Sequence, residues 1–344
     1  MSTPSSHLTR ISSAAAKQHI PIDVTLELTH RCNFRCTHCY IPDHDQPDLL
    51  ATGRILELLD ELADMGTLFL ALSGGEVFLR PDWLAVARHA RRRAFVLRIL
   101  TNGSLITPDI ADDLAALYAQ VDVSLYAADA VVFEAITTVP GSFDRVMAGI
   151  DLLGRAGVPV TLKMPLMAAN ADGVPAMASL AESLGLTLRV YPMLSHSKDG
   201  RLDTTALRAR DDQLVHFYGS AFSPCPEAPE SLTLPSGDNT ICAAGSRTAT
   251  IGPTGVVTAC HILPPVAGNV ARCGFRSIWE GSPWLQYLRG LRVRDLETCS
   301  TCSRLAYCSR CPARALVEEG NLLGPNRTAC AVAELMERAH RHEG

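Results

Sequence analysis

Three thiols stand close together in the stretch Glu27-Leu28-Thr29-His30-Arg31-Cys32-Asn33-Phe34-Arg35-Cys36-Thr37-His38-Cys39-Tyr40, spaced Cys-x3-Cys-x2-Cys. They follow an apolar, β-branched run, which places them in the loop at the C-terminal end of a first strand. Thiolates are soft ligands that select zinc or iron–sulfur clusters, and three of them leave a fourth coordination position unfilled. A closed structural zinc site takes four protein ligands, so zinc here would need His30 or His38 as well. A four-iron cubane held by three cysteines instead keeps one iron free for a substrate. Further thiols crowd the C-terminal third: Cys242, twelve residues, Gly255, four residues, Cys260; then Cys299-x2-Cys302-x5-Cys308-x2-Cys311; then Cys330 after eighteen more. A zinc ribbon would account for Cys299, Cys302, Cys308 and Cys311 but would strand Cys242, Cys260 and Cys330.

Twelve cysteines in a chain with no apolar signal core are poor disulfide candidates, and their tight spacings point to metal in a reducing, cytoplasmic setting. A chain of 344 residues with 47% hydrophobic content is long enough for two domains. It holds no run of eighteen uninterrupted apolar residues, so no membrane partner is expected. Net charge is −5 with Lys and Arg dispersed, which speaks against a nucleic-acid partner. The basic run Arg88–Arg93 falls where a surface helix ends, a favourable place for cations on electrostatic grounds alone.

Residues 1–20 read as a disordered N-terminus. A βα rhythm then sets in, with strands expected at Ile22–Leu28, Thr67–Leu72, Phe95–Thr101, Val121–Tyr126, Val158–Met164 and Thr187–Tyr191. Helical patterns fall near Gly53–Ala63, Pro81–Arg92, Pro108–Tyr118, Phe143–Arg155 and Ala171–Leu184, Pro81 and Pro108 being placed as first-turn prolines. Six alternations mean parallel strands with right-handed crossovers, so the fold class is α/β: a partial (β/α)6 barrel over residues 21–193 with its site at the C-terminal strand ends. Residues 194–238 read as a linker with one helical segment near Thr205–Phe217. A small cysteine-rich iron–sulfur domain follows over 239–338, with a hairpin turning at Pro253-Thr254-Gly255, and 339–344 form a tail.

Several strand ends carry residues suited to a ligand. The second ends in Ser73-Gly74-Gly75-Glu76, where glycines permit close backbone approach and a carboxylate can pair with an ammonium group. Such a segment can equally be a turn. Asn102 ends the third strand and Ser124 the fourth; both also suit turns or caps. Lys163 and Arg189 interrupt the fifth and sixth strands, so each points into a solvated, anion-holding barrel mouth or snorkels to the outer rim.

The cysteine loop resembles the radical S-adenosylmethionine (radical SAM) family, whose motif is Cys-x3-Cys-x-aromatic-Cys, with His38 at the aromatic position. The resemblance covers about residues 22–192. It implies the partial barrel, a [4Fe-4S] cluster on Cys32, Cys36 and Cys39, and S-adenosyl-L-methionine bound near His38, Gly74, Gly75, Glu76, Asn102, Ser124 and Lys163. In the family the Gly-Gly-Glu segment holds the amino group of the methionine moiety, and the position of Ser124 bonds the ribose or the carboxylate. Reductive cleavage of the cofactor then yields a 5′-deoxyadenosyl radical, with flavodoxin or ferredoxin as electron donor.

Residues 240–335 resemble the SPASM extension of peptide-maturing radical SAM enzymes, whose pattern is Cys-x(9 to 15)-Gly-x4-Cys, then Cys-x2-Cys-x5-Cys-x3-Cys, then Cys. The last spacing of the block is x2 here rather than x3, which leaves open which cluster Cys311 serves. The resemblance implies two auxiliary clusters, one closed by Cys299, Cys302, Cys308 and Cys330, the other with three ligands, Cys242, Cys260 and Cys311. Cys225 and Cys273 remain as fourth ligands, or that iron is open. The expected function is oxidative crosslinking of a ribosomally made peptide, with a separate leader-recognition protein as a further partner. Oxidation of a small haem-type precursor, sulfatase maturation, and a non-enzymatic iron–sulfur carrier are the alternatives.

Overall fold

The computed structural model describes residues 4–198, 203–220 and 235–342. The chain opens with helix α1 (Pro4–Gln18), where the sequence led us to expect disorder. Tertiary contacts order it. Ala15 is buried, Arg247 donates to Ser12 Oγ, and Trp279 Nε1 donates to the His19 carbonyl just beyond the helix.

There follow β1 (Asp23–Thr29), α2 (Thr52–Asp64), β2 (Phe69–Gly74), α3 (Trp83–Arg92), β3 (Val96–Thr101), α4 (Pro108–Ala116), β4 (Gln120–Ser124), α5 (Ala130–Thr137), α6 (Ser142–Arg155), β5 (Val160–Pro165), α7 (Val174–Ser183) and β6 (Thr187–Tyr191). All six strands run parallel in the order β6-β5-β4-β3-β2-β1, as the alternation predicts. Helix α4 begins at Pro108 with Thr107 capping Ile110, whereas Pro81 lies two residues before α3 rather than in its first turn. Helix α5, capped by Asp129, was not foreseen.

One face of the sheet carries Leu26, Leu28, Leu72, Ile99, Val123 and Leu162, all fully buried beneath helix residues such as Leu58, Val86 and Val146. Each such side chain contributes about 1.5–3 kcal/mol, and this packing fixes where the strand ends lie. The other face carries Thr25, Glu27, Arg98, Asp122, Lys163 and Arg189, because successive strand residues alternate sides. The basic run at the end of α3 is partly neutralised locally: Arg88 pairs with Asp113, His89 with Asp60, and Arg93 with Asp60 and Asp64.

The expected linker is partly structured. It contains α8 (Asp211–Tyr218), whose Gln213 bonds Asp172 and the Ala168 carbonyl, and a bridge pairs Arg208 with Met167. The hairpin is β7 (Thr248–Ile251) and β8 (Val256–Thr258), turning through Gly255 at φ +84°, and β9 (Val266–Asn269) adds to it. Helices α9 (Phe275–Gly281), α10 (Pro283–Gly290), α11 (Pro312–Glu319) and α12 (Arg327–His342) complete the chain. The last runs four residues into the expected tail, and α8 packs against it. Strand β7 pairs in parallel with β1, Asp23 opposite Thr248 through Leu26 opposite Ile251, so the C-terminal hairpin extends the barrel sheet to nine strands among the described residues.

At the end of β2, Gly75 N donates to the Thr29 carbonyl and Glu76 N to that of Arg31, both at 2.8 Å. A Cβ on Gly75 would lie 2.3 Å from Arg31 O and 2.5 Å from His30 O, backbone against backbone. Gly75→Ala is therefore expected to cost about 1–3 kcal/mol as an overpacking change and to lower the melting temperature. Gly154→Ala, in α6 with nothing within 4 Å of the new methyl, should instead raise it by removing a helical glycine. Scanning fluorimetry of the two variants checks the pair; an unchanged midpoint for Gly75→Ala would refute the close contact.

Candidate active site

The cysteine loop leaves the buried end of β1 and is anchored by Phe34, 1% exposed. Its backbone is tied to α5, Arg35 N donating to Thr137 O at 3.3 Å and Thr37 N to Ile136 O at 2.9 Å. The three thiols are half-buried, and near enough that Cys39 raises the pKa of Cys32 and both raise that of Cys36. Burial pushes Cys32 up to about 11 and Cys36 up to about 12, and it raises Cys39 as well. Protein neighbours already touch two of the sulfurs: the Cys36 thiol donates to Tyr126 Oη at 3.8 Å, and Asn102 Nδ2 donates to Cys32 Sγ at 3.9 Å. His38 meets the Tyr126 ring edge-on at 4.6 Å, and burial lowers its pKa to about 4. Its Nδ1 is buried without a hydrogen-bond partner.

As they stand, no three His, Cys, Asp or Glu side chains among the described residues are gathered to hold a metal ion. The donor chemistry nevertheless suits a thiophilic, positively charged centre. Such a centre would favour the thiolates that burial alone disfavours.

Glu76 is fully buried beside this loop. Its carboxylate accepts from Thr101 Oγ1 at 2.7 and 2.9 Å, from Asn102 N at 2.8 Å and from Phe78 N at 3.3 Å. Burial nevertheless pushes its pKa up to about 7, and no cation among the described residues lies against it to bring it down. That arrangement fits a carboxylate held ready for an ammonium group. The preceding glycines also have a packing role. Gly74 at φ +136° and Gly75 make room for the backbone of Thr29, His30 and Arg31.

Asn102 joins the site: its side chain donates to Asn33 Oδ1 at 2.8 Å and accepts from Ser104. Ser124 is half-buried at the end of β4 and hydrogen-bonds Tyr126. Lys163 is not free to hold an external anion alone, since its Nζ lies 2.6 Å from the buried Asp122 and 5.4 Å from the Tyr191 ring centre. Arg189 is exposed on the same face.

Strand β1 contributes a residue that motif reading missed. Glu27, fully buried, accepts from His30 Nε2 at 3.0 Å, Tyr40 Oη at 3.2 Å and Lys198 Nζ. Burial alone would raise its pKa, but the His30 bond and the Lys198 charge bring it down to about 2. A charged residue inside an apolar strand was the available signal. Next to this network lies a cavity of about 270 Å³, bordered by Glu27, Lys198, Thr250 and His261. The Tyr40 ring, adjoining Cys39, meets the His261 ring, adjoining Cys260, at 5.7 Å.

The C-terminal cysteines fall into two groups by mutual electrostatic influence. Cys242, Cys260 and Cys311 form one; Cys299, Cys302, Cys308 and Cys330 form the other. Cys273 is exposed, its thiol donating to Asn269 O at 3.8 Å, and belongs to neither. Cys225 lies outside the described residues.

Comparison with known proteins gives this geometry a family. The model of the radical SAM superfamily matches residues 26–181, and that of the SPASM iron–sulfur cluster-binding domain matches residues 242–312. Mycofactocin maturase MftC of Mycobacterium tuberculosis is 32% identical over 84% of this chain and 77% of its own length. The AdoMet-dependent heme synthase of Methanosarcina barkeri is 26% identical over 90% of this chain and 96% of its own. Among solved structures, Streptococcus suis SuiB bound to its precursor peptide SuiA superposes with a TM-score of 0.72 over 96% of this chain and 82% of that one, at 16% identity. With a cysteine loop at the first strand end, a buried carboxylate beside it and two further cysteine groups beyond the barrel, the chain belongs to the radical SAM superfamily and carries a SPASM domain.

Proposed function

We propose that this protein oxidatively modifies a ribosomally made peptide, joining two of its side chains. What carries the reading is the combination of a likeness to mycofactocin maturase over 84% of this chain with a barrel mouth that adjoins the Cys242–Cys260–Cys311 group through His261. Similarity to the PqqA peptide cyclase of Granulibacter bethesdensis, 27% identical over 93% of this chain, supports it further. The match to heme synthase over nearly the whole of both chains keeps a second reading open, oxidation of a small haem precursor.

In this reading Cys32, Cys36 and Cys39 hold the reducing cluster, and Cys299, Cys302, Cys308 and Cys330 close an auxiliary one. Cys242, Cys260 and Cys311 give three ligands to a second auxiliary cluster, whose remaining iron stays open. When bound, the first cluster and S-adenosylmethionine supply a 5′-deoxyadenosyl radical that takes hydrogen from an unactivated C–H bond. The protein's share is placement. Glu76 receives the cofactor's ammonium group, Thr101 and the Asn102 backbone fix that carboxylate, and Tyr126 and the Asn102 side chain set the polarity at the Cys36 and Cys32 sulfurs. Ser124, His38 and Lys163 border the cofactor. A flavodoxin or ferredoxin supplies electrons, and a separate protein presents the peptide leader.

Replacing Cys32, Cys36 and Cys39 together by Ala should remove about four irons per chain and abolish formation of 5′-deoxyadenosine. Cleavage retained in that variant would overturn the assignment. Glu76→Ala should keep the iron and weaken S-adenosylmethionine binding by about 1.5–3 kcal/mol, the worth of a hydrogen bond to a charged group, as read by calorimetric titration. Unchanged affinity would take the ammonium contact away from this residue. The substrate class is tested by incubating reconstituted protein, reductant and S-adenosylmethionine with short peptides encoded beside the gene. Mass spectrometry should show loss of two hydrogens per linkage, and turnover of a haem precursor in their place would favour the second reading.

A further inference from the structure

Charge is unevenly distributed on the inner face of β3–β6. Lys163 stands opposite Arg189 in the β5–β6 register, and Asp122 of β4 lies within reach of both Lys163 Nζ, at 2.6 Å, and Arg98 Nε, at 3.7 Å. Two cations, Lys163 and Arg98, thus share one buried carboxylate. Lys163 takes the better part of it, and Arg189 has no carboxylate within ion-pair distance among the described residues.

A second unpaired guanidinium faces it from the SPASM domain. Arg314, on the first turn of α11, donates to Met193 O at 3.0 Å and Ser195 Oγ at 3.3 Å, but to no carboxylate among the described residues. The carboxylate one turn further along, Glu318, is already taken by Arg208 and Asn326. Arg189 and Arg314 line a single cavity of about 710 Å³ between the barrel's edge strand and the auxiliary-cluster domain, walled by Val190, Tyr191, Met193 and Met336. Arg314 is half-buried, and burial disfavours its charge, whereas Arg189 is exposed; the anion of a ligand would offset the first and can reach the second. Guanidinium forks match carboxylates geometrically, and the apolar lining suits the carbon skeleton that bears them.

We propose that this cavity is a substrate subsite in which Arg189 and Arg314 clamp a carboxylate. Resting on the peptide reading, the occupant is an acidic side chain or the C-terminal carboxylate of the substrate peptide, held across the interface between the barrel and the SPASM domain. Arg314 lies three residues beyond Cys311, so a carboxylate held there keeps the neighbouring part of the substrate beside the Cys242–Cys260–Cys311 group.

The test uses the reconstituted, cluster-loaded protein and two fluorescein-tagged octapeptides. They differ only in carrying two Glu residues and a free C-terminus, or two Gln residues and an amidated one. Fluorescence anisotropy should show the acidic peptide binding about tenfold tighter, a difference of about 1.4 kcal/mol, and that preference should shrink as salt is added. Arg189→Gln should bring the two affinities within about twofold while iron content and substrate-free cleavage of S-adenosylmethionine stay unchanged. Arg314→Gln should do the same if it retains its iron; Arg189→Gln decides if it does not. Equal affinities in the unmodified protein, or a preference untouched by Arg189→Gln, overturns the clamp. A porphyrin tetracarboxylate and its tetra-amide form the second arm. If the carboxylate form binds in an Arg189-dependent way and neither peptide does, the clamp stands and the peptide reading falls.

Discussion

The contact of the Thr29–Arg31 backbone with Gly74 and Gly75 is the constraint on which the site depends. A cysteine loop has no regular structure of its own, so its position must be imposed by what it lies against. Here it lies on a neighbouring strand end whose two glycines have no Cβ to hold it off, and the backbone bonds from Gly75 and Glu76 fix the spacing. The same turn delivers Glu76, which Thr101 and Asn102 of the third strand end then orient, and Asn102 reaches back to Cys32. Three strand ends are thereby locked around one point. A change in any of them moves both Cys32 and the Glu76 carboxylate.

A second consequence concerns the distance between the cysteine groups. Because β7 pairs with β1 in continuous register, the hairpin that leads to Cys260 belongs to the same sheet that presents Cys32, Cys36 and Cys39. Domains joined only by a linker would rotate relative to one another. Sheet pairing, together with the Glu27–Lys198 bond and the Tyr40–His261 contact, holds them to one arrangement. Glu27 is central to this. Leaving that carboxylate buried without His30 and Lys198 would be strongly unfavourable, so the bridging segment that carries Lys198 is held down over the mouth.

Much of this was legible in the sequence, for identifiable reasons. Thr187–Tyr191 is a strand at the positions read from its apolar run, and the other five barrel strands differ from their expected bounds by two residues or fewer at each end. Periodicity and turn residues are local signals, so they survive without the structure. The β1–β7 pairing joins residues more than two hundred positions apart, and no local pattern records it. The α1 helix was missed because its order comes from Trp279 and Arg247, far along the chain. Lys163 shows the same limit: its charge in an apolar strand was visible, but its partner Asp122 sits on another strand. Spacing alone likewise left open which group Cys311 would join, and folding places it with Cys242 and Cys260.

Such a division between local and non-local information also separates chemistry from substrate. The residues proposed to handle the cofactor lie in short, contiguous motifs at strand ends, and both a mycofactocin maturase and heme synthases resemble this chain at 25–32% identity. Substrate-facing groups have no such motif. Arg189 comes from the edge of the barrel and Arg314 from a helix 125 residues later, and only the docking of the SPASM domain makes them neighbours of one cavity. A fold of this kind can change what it acts on by replacing one residue on an edge strand or on α11. Neither position touches the cysteine loop or Glu76, so specificity can drift while the radical-generating site stays intact.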